Sequence, residues 1–325
     1  MTEIPTVGAS GLQADISEPR SWTTRNRDDR PIPLDLLRDL TRRSDARGLA
    51  QIGLHLTLLA TTSTLISLVG GVWLLPAMLL QGMLLAACFA PMHESVHYTS
   101  FRSRRLAELV AWIAALPNLY NATHYRLFHK AHHQFTQDPV LDPELAGAKP
   151  SSLTGYAWRI IGLTFWRDRA RFLILALRGR FLTMPYVPDA AKAGLRRSVA
   201  LQLVLYAAVG TSAAAFESLA PLTYWILPAM LGRPFLSVML LAEHTGCSNE
   251  PDGLANTRST ETWGAWRFIL WNMPFHAEHH FYPSIPFHAL PAAHTLMQGK
   301  LAHVAPGYLS THRGFVRRLA SGQAL

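Results

Sequence analysis

His276-Ala277-Glu278-His279-His280 lies within Trp271-Asn272-Met273-Pro274-Phe275-His276-Ala277-Glu278-His279-His280-Phe281-Tyr282-Pro283. Histidines at i, i+3 and i+4 share one side of a helix, because those spacings stack within about one turn. The same spacing recurs in His129-Lys130-Ala131-His132-His133, and His93-Glu94-Ser95-Val96-His97 has the i, i+4 pair. Eight of the 15 histidines fall in these clusters. Neutral imidazole is a common ligand for iron, copper, zinc and nickel. A structural zinc takes four ligands and a catalytic one about three. Eight is therefore too many for one metal and suits two with open positions. Such di-metal sites in soluble helical bundles use carboxylates where histidines stand here.

The chain around the clusters is apolar. It is 49% hydrophobic and 16% charged, against roughly 25% charged in soluble domains. No Asp, Glu, Lys or Arg occurs from Gly48 through Met92, from Ser198 to Phe216, or, Arg233 apart, from Ser218 to Ala242. The first run is long enough for two crossings of a core about 30 Å thick, and Gly70-Gly71 marks its turn. The expected fold is all-α and integral to the membrane. Four transmembrane helices, about 49–68, 74–89, 199–216 and 222–241, form two hairpins, and a cytoplasmic helical cap carries the metal site. The second span is expected to run on and carry His93 and His97 out of the bilayer. Residues 48–295 form the membrane domain. Residues 1–47 are a cytoplasmic segment, partly disordered and ending in an amphipathic surface helix over 31–47, and 296–325 are a cytoplasmic tail. Leu106–Tyr120 is too short to cross twice and reads as re-entrant or interfacial. Residues 153–182, interleaved with arginines, read as interfacial.

By parity of the spans, the three clusters lie on one side. Every lysine and arginine except Arg233 flanks the spans on that side, which makes it cytoplasmic, with both termini. The net charge of +9 thus reflects topology rather than nucleic-acid binding. Two cysteines, Cys88 and Cys247, exclude a disulfide framework and a cysteine zinc site. The polar N-terminus lacks a secretory leader, and no lipid-anchor motif is present. Arg233 is costly within a span. It lines a water-filled cavity, binds a polar substrate group, or pairs with Glu217 or a lipid phosphate.

The three clusters resemble the histidine boxes of the membrane fatty acid desaturase superfamily, over about residues 48–295. Asp138-Pro139 after the second box agrees, and so do Asn272-Met273-Pro274-Phe275 before the third box and Tyr282-Pro283-Ser284-Ile285-Pro286 after it. The latter two resemble bacterial members and imply a bacterial inner membrane. The resemblance implies two iron ions, O2 and an external electron donor such as ferredoxin or cytochrome b5, since no fused carrier segment is visible. It also implies a further histidine ligand between the second and third boxes, matched by His244. Stearoyl-type relatives place an asparagine four residues before that histidine, where this chain has Leu240. Asn272, four residues before His276, is the substitute candidate. The implied ligand set is His93, His97, His129, His132, His133, His244, His276, His279 and His280, with Asn272 acting through water. Metal-bound imidazoles usually give their other N–H to a carboxylate or carbonyl; Glu94, Asp138, Asp142, Glu243 and Glu278 are placed for that, the two aspartates also serving turns before proline. His124 is expected off the ligand face, behind the ligands or on the surface. His288 and His294 read as packing or polar contacts, His55 as a partner within the bundle, and His303 and His312 as surface residues.

The resemblance implies O2-dependent removal of two hydrogens from an acyl chain or similar lipid. The alternatives are a hydroxylase or ketolase of the same superfamily, acting on an alkane, sterol, carotenoid or small non-lipid substrate, and a non-enzymatic metal transporter or sensor. Transport favours polar ligands near the bilayer midplane, whereas these clusters lie outside it.

Overall fold

The computed structural model describes residues 30–147 and 149–325. The disorder expected for residues 1 to about 30 falls almost wholly outside them. The fold is helical. Among the described residues the one strand pairing is a two-residue parallel bridge, β1 (Ser259–Thr260) to β2 (Val304–Ala305). Among the described residues four helices are long and apolar enough to cross a membrane: Asp45–Leu68, Gly71–Val96, Asp189–Ala215 and Leu222–His244.

These four differ in what they face. The helix α2 (Asp45–Leu68) and the helix α9 (Asp189–Ala215) expose most of their apolar side chains, whereas the second and fourth helices are about half buried. The centre of the bundle is α3 (Leu74–Ala87) packed on α10 (Leu227–His244). Gly82 and Gly232 meet there so closely that a Cβ on either would overlap the other's backbone. Small residues at such a crossing let the dispersion contacts of two backbones substitute for the hydrophobic drive that lipid does not supply. Helix α9 instead leans on the polar half, and α10 finds its main partner in α3 rather than in α9.

Past Ala87 the second span bends at Cys88 and continues as α4 (Phe89–Val96). Pro91 has no N–H to give the Ala87 carbonyl, so the ladder breaks there. The helix α5 (Arg104–Ala115) packs on α4 through Ala107 and Ala111, which are fully buried, and turns Leu109 and Ile113 outward. The helix α6 (Ala122–Phe135) carries the second box. Its N-cap Asn121 accepts from the His124 amide, and the same side chain donates to Gln202 on α9 at 2.9 Å. Gln202 in turn donates to the Tyr120 carbonyl at 2.8 Å. A polar residue inside a span thus ties the box to the bundle. Helices α7 (Leu153–Ile161) and α8 (Leu163–Leu177) meet at Gly162, whose φ of +76° favours glycine. The chain closes with α11 (Gly264–Ile269), α12 (His276–Phe281), α13 (Leu290–Met297) and α14 (Tyr308–Ala320).

Two expectations change and a third narrows. The amphipathic helix read over 31–47 is a short α1 (Leu34–Leu40). With the fully buried Ile32, it packs Leu37 and Leu40 against the third-box region rather than serving as a membrane float alone. His312 is buried, between the Tyr156 hydroxyl at 2.7 Å and the Val238 carbonyl at 2.9 Å. His124, expected off the ligand face, is buried rather than on the surface; it bonds Tyr186 Oη at 2.9 Å and packs its ring at a tilt against Phe172, 4.0 Å between centres, pinning α8 to α6.

Candidate metal centre

The structure gathers nine histidines at one end of the bundle in two groups. His93, His97, His129, His133 and His279 form one, and His132, His244, His276 and His280 form the other. Within each group, one nitrogen from every ring lies within 4.8 Å of the rest. The partition cuts across the boxes. Helix α6 sends His129 and His133 to the first group and His132 to the second. Helix α12 does the reverse, sending His279 to the first and His276 with His280 to the second. At about 100° per residue, i and i+4 differ by about 40° and i+3 falls on their other flank. Each helix therefore stands between the groups and serves both.

The donor atoms suit metal ions. His129 Nε2 and His133 Nε2 are 3.0 Å apart, and His132 Nε2 and His244 Nε2 are 3.2 Å apart. A metal with bonds of about 2.0–2.1 Å holds adjacent ligands at roughly this spacing. Seven buried nitrogens of the nine rings have no partner: both of His93 and of His279, Nε2 of His97 and His280, and Nδ1 of His276. Each buried orphan costs about 1–3 kcal/mol, a penalty that coordination would remove. Burial, and then the neighbouring imidazoles, hold His129, His133, His276, His279 and His280 well below the ordinary imidazole range. They are neutral, as ligands must be.

Other residues fix the rings. Asp142 Oδ1 takes His132 Nδ1 at 2.9 Å, while its Oδ2 accepts the Gln137 amide at 2.8 Å. His244 Nδ1 faces the Asn256 carbonyl at 3.2 Å, and His280 Nδ1 faces Thr136 Oγ1 at 3.2 Å. Glu94 accepts from Thr99 and from the Phe287 amide and stands 3.8 Å from His279 Nδ1. Ser259 Oγ accepts the Ala277 amide in the first turn of α12 and donates to Glu278, which also binds His294. Glu278 therefore holds His294 against the Phe275 ring rather than a ring of either group. Asp138 is a turn residue only, accepting from the Val140 and Leu141 amides at 2.9 and 3.0 Å. Asn272 Nδ2 donates to the Phe287 carbonyl at 2.9 Å. His55 bonds the Leu84 carbonyl within the bundle, and His288 faces Arg47.

One acid escapes sequence reading. Glu144 Oε2 stands 3.0 Å from His132 Nε2, on the face that His132 shares with His244. Burial alone would depress His132, but Glu144 and Asp142 together raise it, unlike its neighbours. Glu243 Oε2 approaches His276 Nε2 at 3.6 Å in the same group. A cavity of about 350 Å³ opens onto both groups, reaching His93, His129, His132 and His276.

A membrane-spanning helical protein with a two-part imidazole cage at one end of the bundle is the class that fold and site define. The fatty acid desaturase family profile matches residues 23–312, and the chain belongs to that family. It is also similar to the sphingolipid delta(4)-desaturase/C4-monooxygenase DES2 of Homo sapiens, 26% identical over 234 residues, and of Bos taurus, 27% identical over 234 residues. Each alignment covers 70% of this chain and 65% of the relative, so under two thirds of the relatives' length is matched.

Proposed function

We propose that the chain is an O2-dependent membrane oxidoreductase that uses two iron ions to oxidise an unactivated C–H bond. Introduction of a double bond into an acyl or similar aliphatic substrate is the reading favoured first. The division of nine imidazoles, seven of them buried and His97 and His133 half-buried, into two groups with seven orphaned nitrogens supports it. The nine histidines would hold the irons, and Glu144 and Glu243 stand beside the second group. When bound and reduced, such a pair supplies the O2 activation that removing an aliphatic hydrogen requires.

The chain's own residues do the positioning. Asp142, Asn256 and Thr136 fix which nitrogen of His132, His244 and His280 faces inward. The packed helices α4, α6, α10 and α12 keep the rings in place and bulk water out. The cavity brings a substrate carbon up to His93, His129, His132 and His276, and proximity of that kind is the protein's main contribution to rate. Two electrons come from a separate carrier such as ferredoxin or cytochrome b5. Arginines on the polar side, cytoplasmic by the charge rule, would dock an acidic carrier.

Hydroxylation is the second reading, favoured by the paired names of the relatives, desaturase and C4-monooxygenase. Product mass separates the two: loss of two hydrogens against gain of one oxygen. The test of the shared reading is replacement of His129, His132, His276 or His279 by Ala in protein that still inserts. Turnover should fall below detection for each, and activity retained in any would contradict the assignment.

A further inference from the structure

The cavity beside the histidines has a chemical character that the oxidation itself does not require. It is small for a ligand site, about 350 Å³ against a usual 300–1,000 Å³. Three arginines line it in order of depth: Arg159 exposed, Arg169 half-buried and Arg233 buried at 7% exposure. The larger cavity, about 810 Å³, is apolar, lies among Leu85, Leu205, Phe216 and Trp225, and shares no lining residue with the first. The space next to the imidazoles is thus the small, charged one.

Arg233 is built into its place. Its guanidinium lies 3.8 Å from the centre of the Phe165 ring. Gly162 closes over it, and a Cβ there would overlap the Arg233 side chain. Nε and Nη1 nevertheless have no partner. Arg169 Nε is likewise unpartnered. No ion pair engages Arg159, Arg169 or Arg233 among the described residues, and all three line the one cavity. Of the acids of the cavity, Glu144 pairs with His132 and Asp168 with Arg167 at 2.9 Å, while Glu243 faces His276 at 3.6 Å and its Oε1 has no hydrogen-bond partner. A buried guanidinium with two free donors and like charges beside it is costly unless an anion completes it. Guanidinium is also the group best shaped for a carboxylate or phosphate.

We propose that the substrate is a compact aliphatic anion whose carboxylate or phosphate seats on Arg233, with Arg169 and Arg159 along its entry. The oxidised carbon then lies only a few bonds from that anionic group, at the histidine end of the cavity. This rests on the oxidoreductase reading for its chemistry, but the anion seat stands on the arginines alone.

The test is binding to the purified full-length protein in dodecyl maltoside, in phosphate-free buffer, with hexanoate, hexyl phosphate and hexan-1-ol as probes. Hexanoate or hexyl phosphate should bind at least about tenfold more tightly than hexan-1-ol, as a charge-assisted guanidinium contact implies. Arg233→Gln should erase that preference without changing iron content, and Arg178→Gln, outside the cavity, should keep it. Equal binding of the alcohol by the wild type, or a hexanoate preference that survives Arg233→Gln, overturns the proposal. Should Arg233→Gln fail to fold, the wild-type comparison still decides, and Arg169→Gln should weaken hexanoate several-fold. Dihexanoyl phosphatidylcholine is the arm for a lipid headgroup: competition with hexanoate that depends on Arg233 would assign the seat to lipid and overturn the substrate reading. A protein without iron that keeps the hexanoate preference would sink the oxidoreductase reading and leave the anion seat standing.

Discussion

The two histidine groups are unequal. The first has five imidazoles and draws on three helical segments, α4 with its C-cap His97, α6 and α12. The second has four imidazoles and compensates with acids: Asp142 behind His132, Glu144 before it, and Glu243 near His276. A neutral five-nitrogen set can lose one donor and still hold a metal in four-coordination, whereas a four-nitrogen set has no spare. Carboxylates near the second group neutralise more of a divalent charge, so the groups should differ in metal affinity and in how each responds to damage.

The sharpest way to break the comparison is to remove one ring from each group. His280→Ala should lower bound iron by about half and abolish turnover, because three imidazoles with exchangeable acids hold a metal weakly. His133→Ala should keep most of its iron and lose turnover by about tenfold or more. Metal analysis alongside single-turnover assays checks both, and equal iron loss in the two variants would erase the distinction.

Acid is the next lever. Five rings outside the spans, His129, His133, His276, His279 and His280, are held low by burial. In the unfolded chain they titrate near 6.5. Below that pH the unfolded state binds more protons than the folded one, so the stability present above it is lost as pH falls. His132, raised by its two acids, works in the opposite sense. Chelator-treated protein should melt several degrees lower at pH 5.5 than at pH 7.5. A flat profile would mean that the rings are not neutral in the folded state.

How much of this was readable beforehand follows from spacing. The i, i+3, i+4 pattern named the rings because helical geometry forces such residues together. It did not show that His132 parts from His129 and His133, since that depends on how α6 and α12 face each other across two centres. Glu144 was hidden for a similar reason. It sits in the 3-10 turn Pro143–Ala146, and nothing in its own neighbourhood marks an acid that reaches back to the preceding helix. His312 looked like a tail residue because its partners, Tyr156 and Val238, lie far away in the chain. The spans were legible because apolar run length is a local property.

The two aspartates that precede prolines near the second box sharpen the comparison further. Both Asp138-Pro139 and Asp142-Pro143 look alike in sequence, yet only Asp142 reaches a ring. Asp142→Asn keeps the shape but replaces the charge that orients His132, and second-group metal affinity should fall by about 10–100-fold. Asp138→Asn should leave iron content and turnover within about twofold and cost no more than about 1 kcal/mol of stability, as expected for an amide-accepting turn residue. A metal titration of the two variants side by side decides it. Comparable losses would mean that Asp138 acts on the centre through a route other than the turn it caps. The contrast as stated predicts that, of two similar Asp-Pro steps, only the one whose carboxylate sits behind an imidazole registers at the metal.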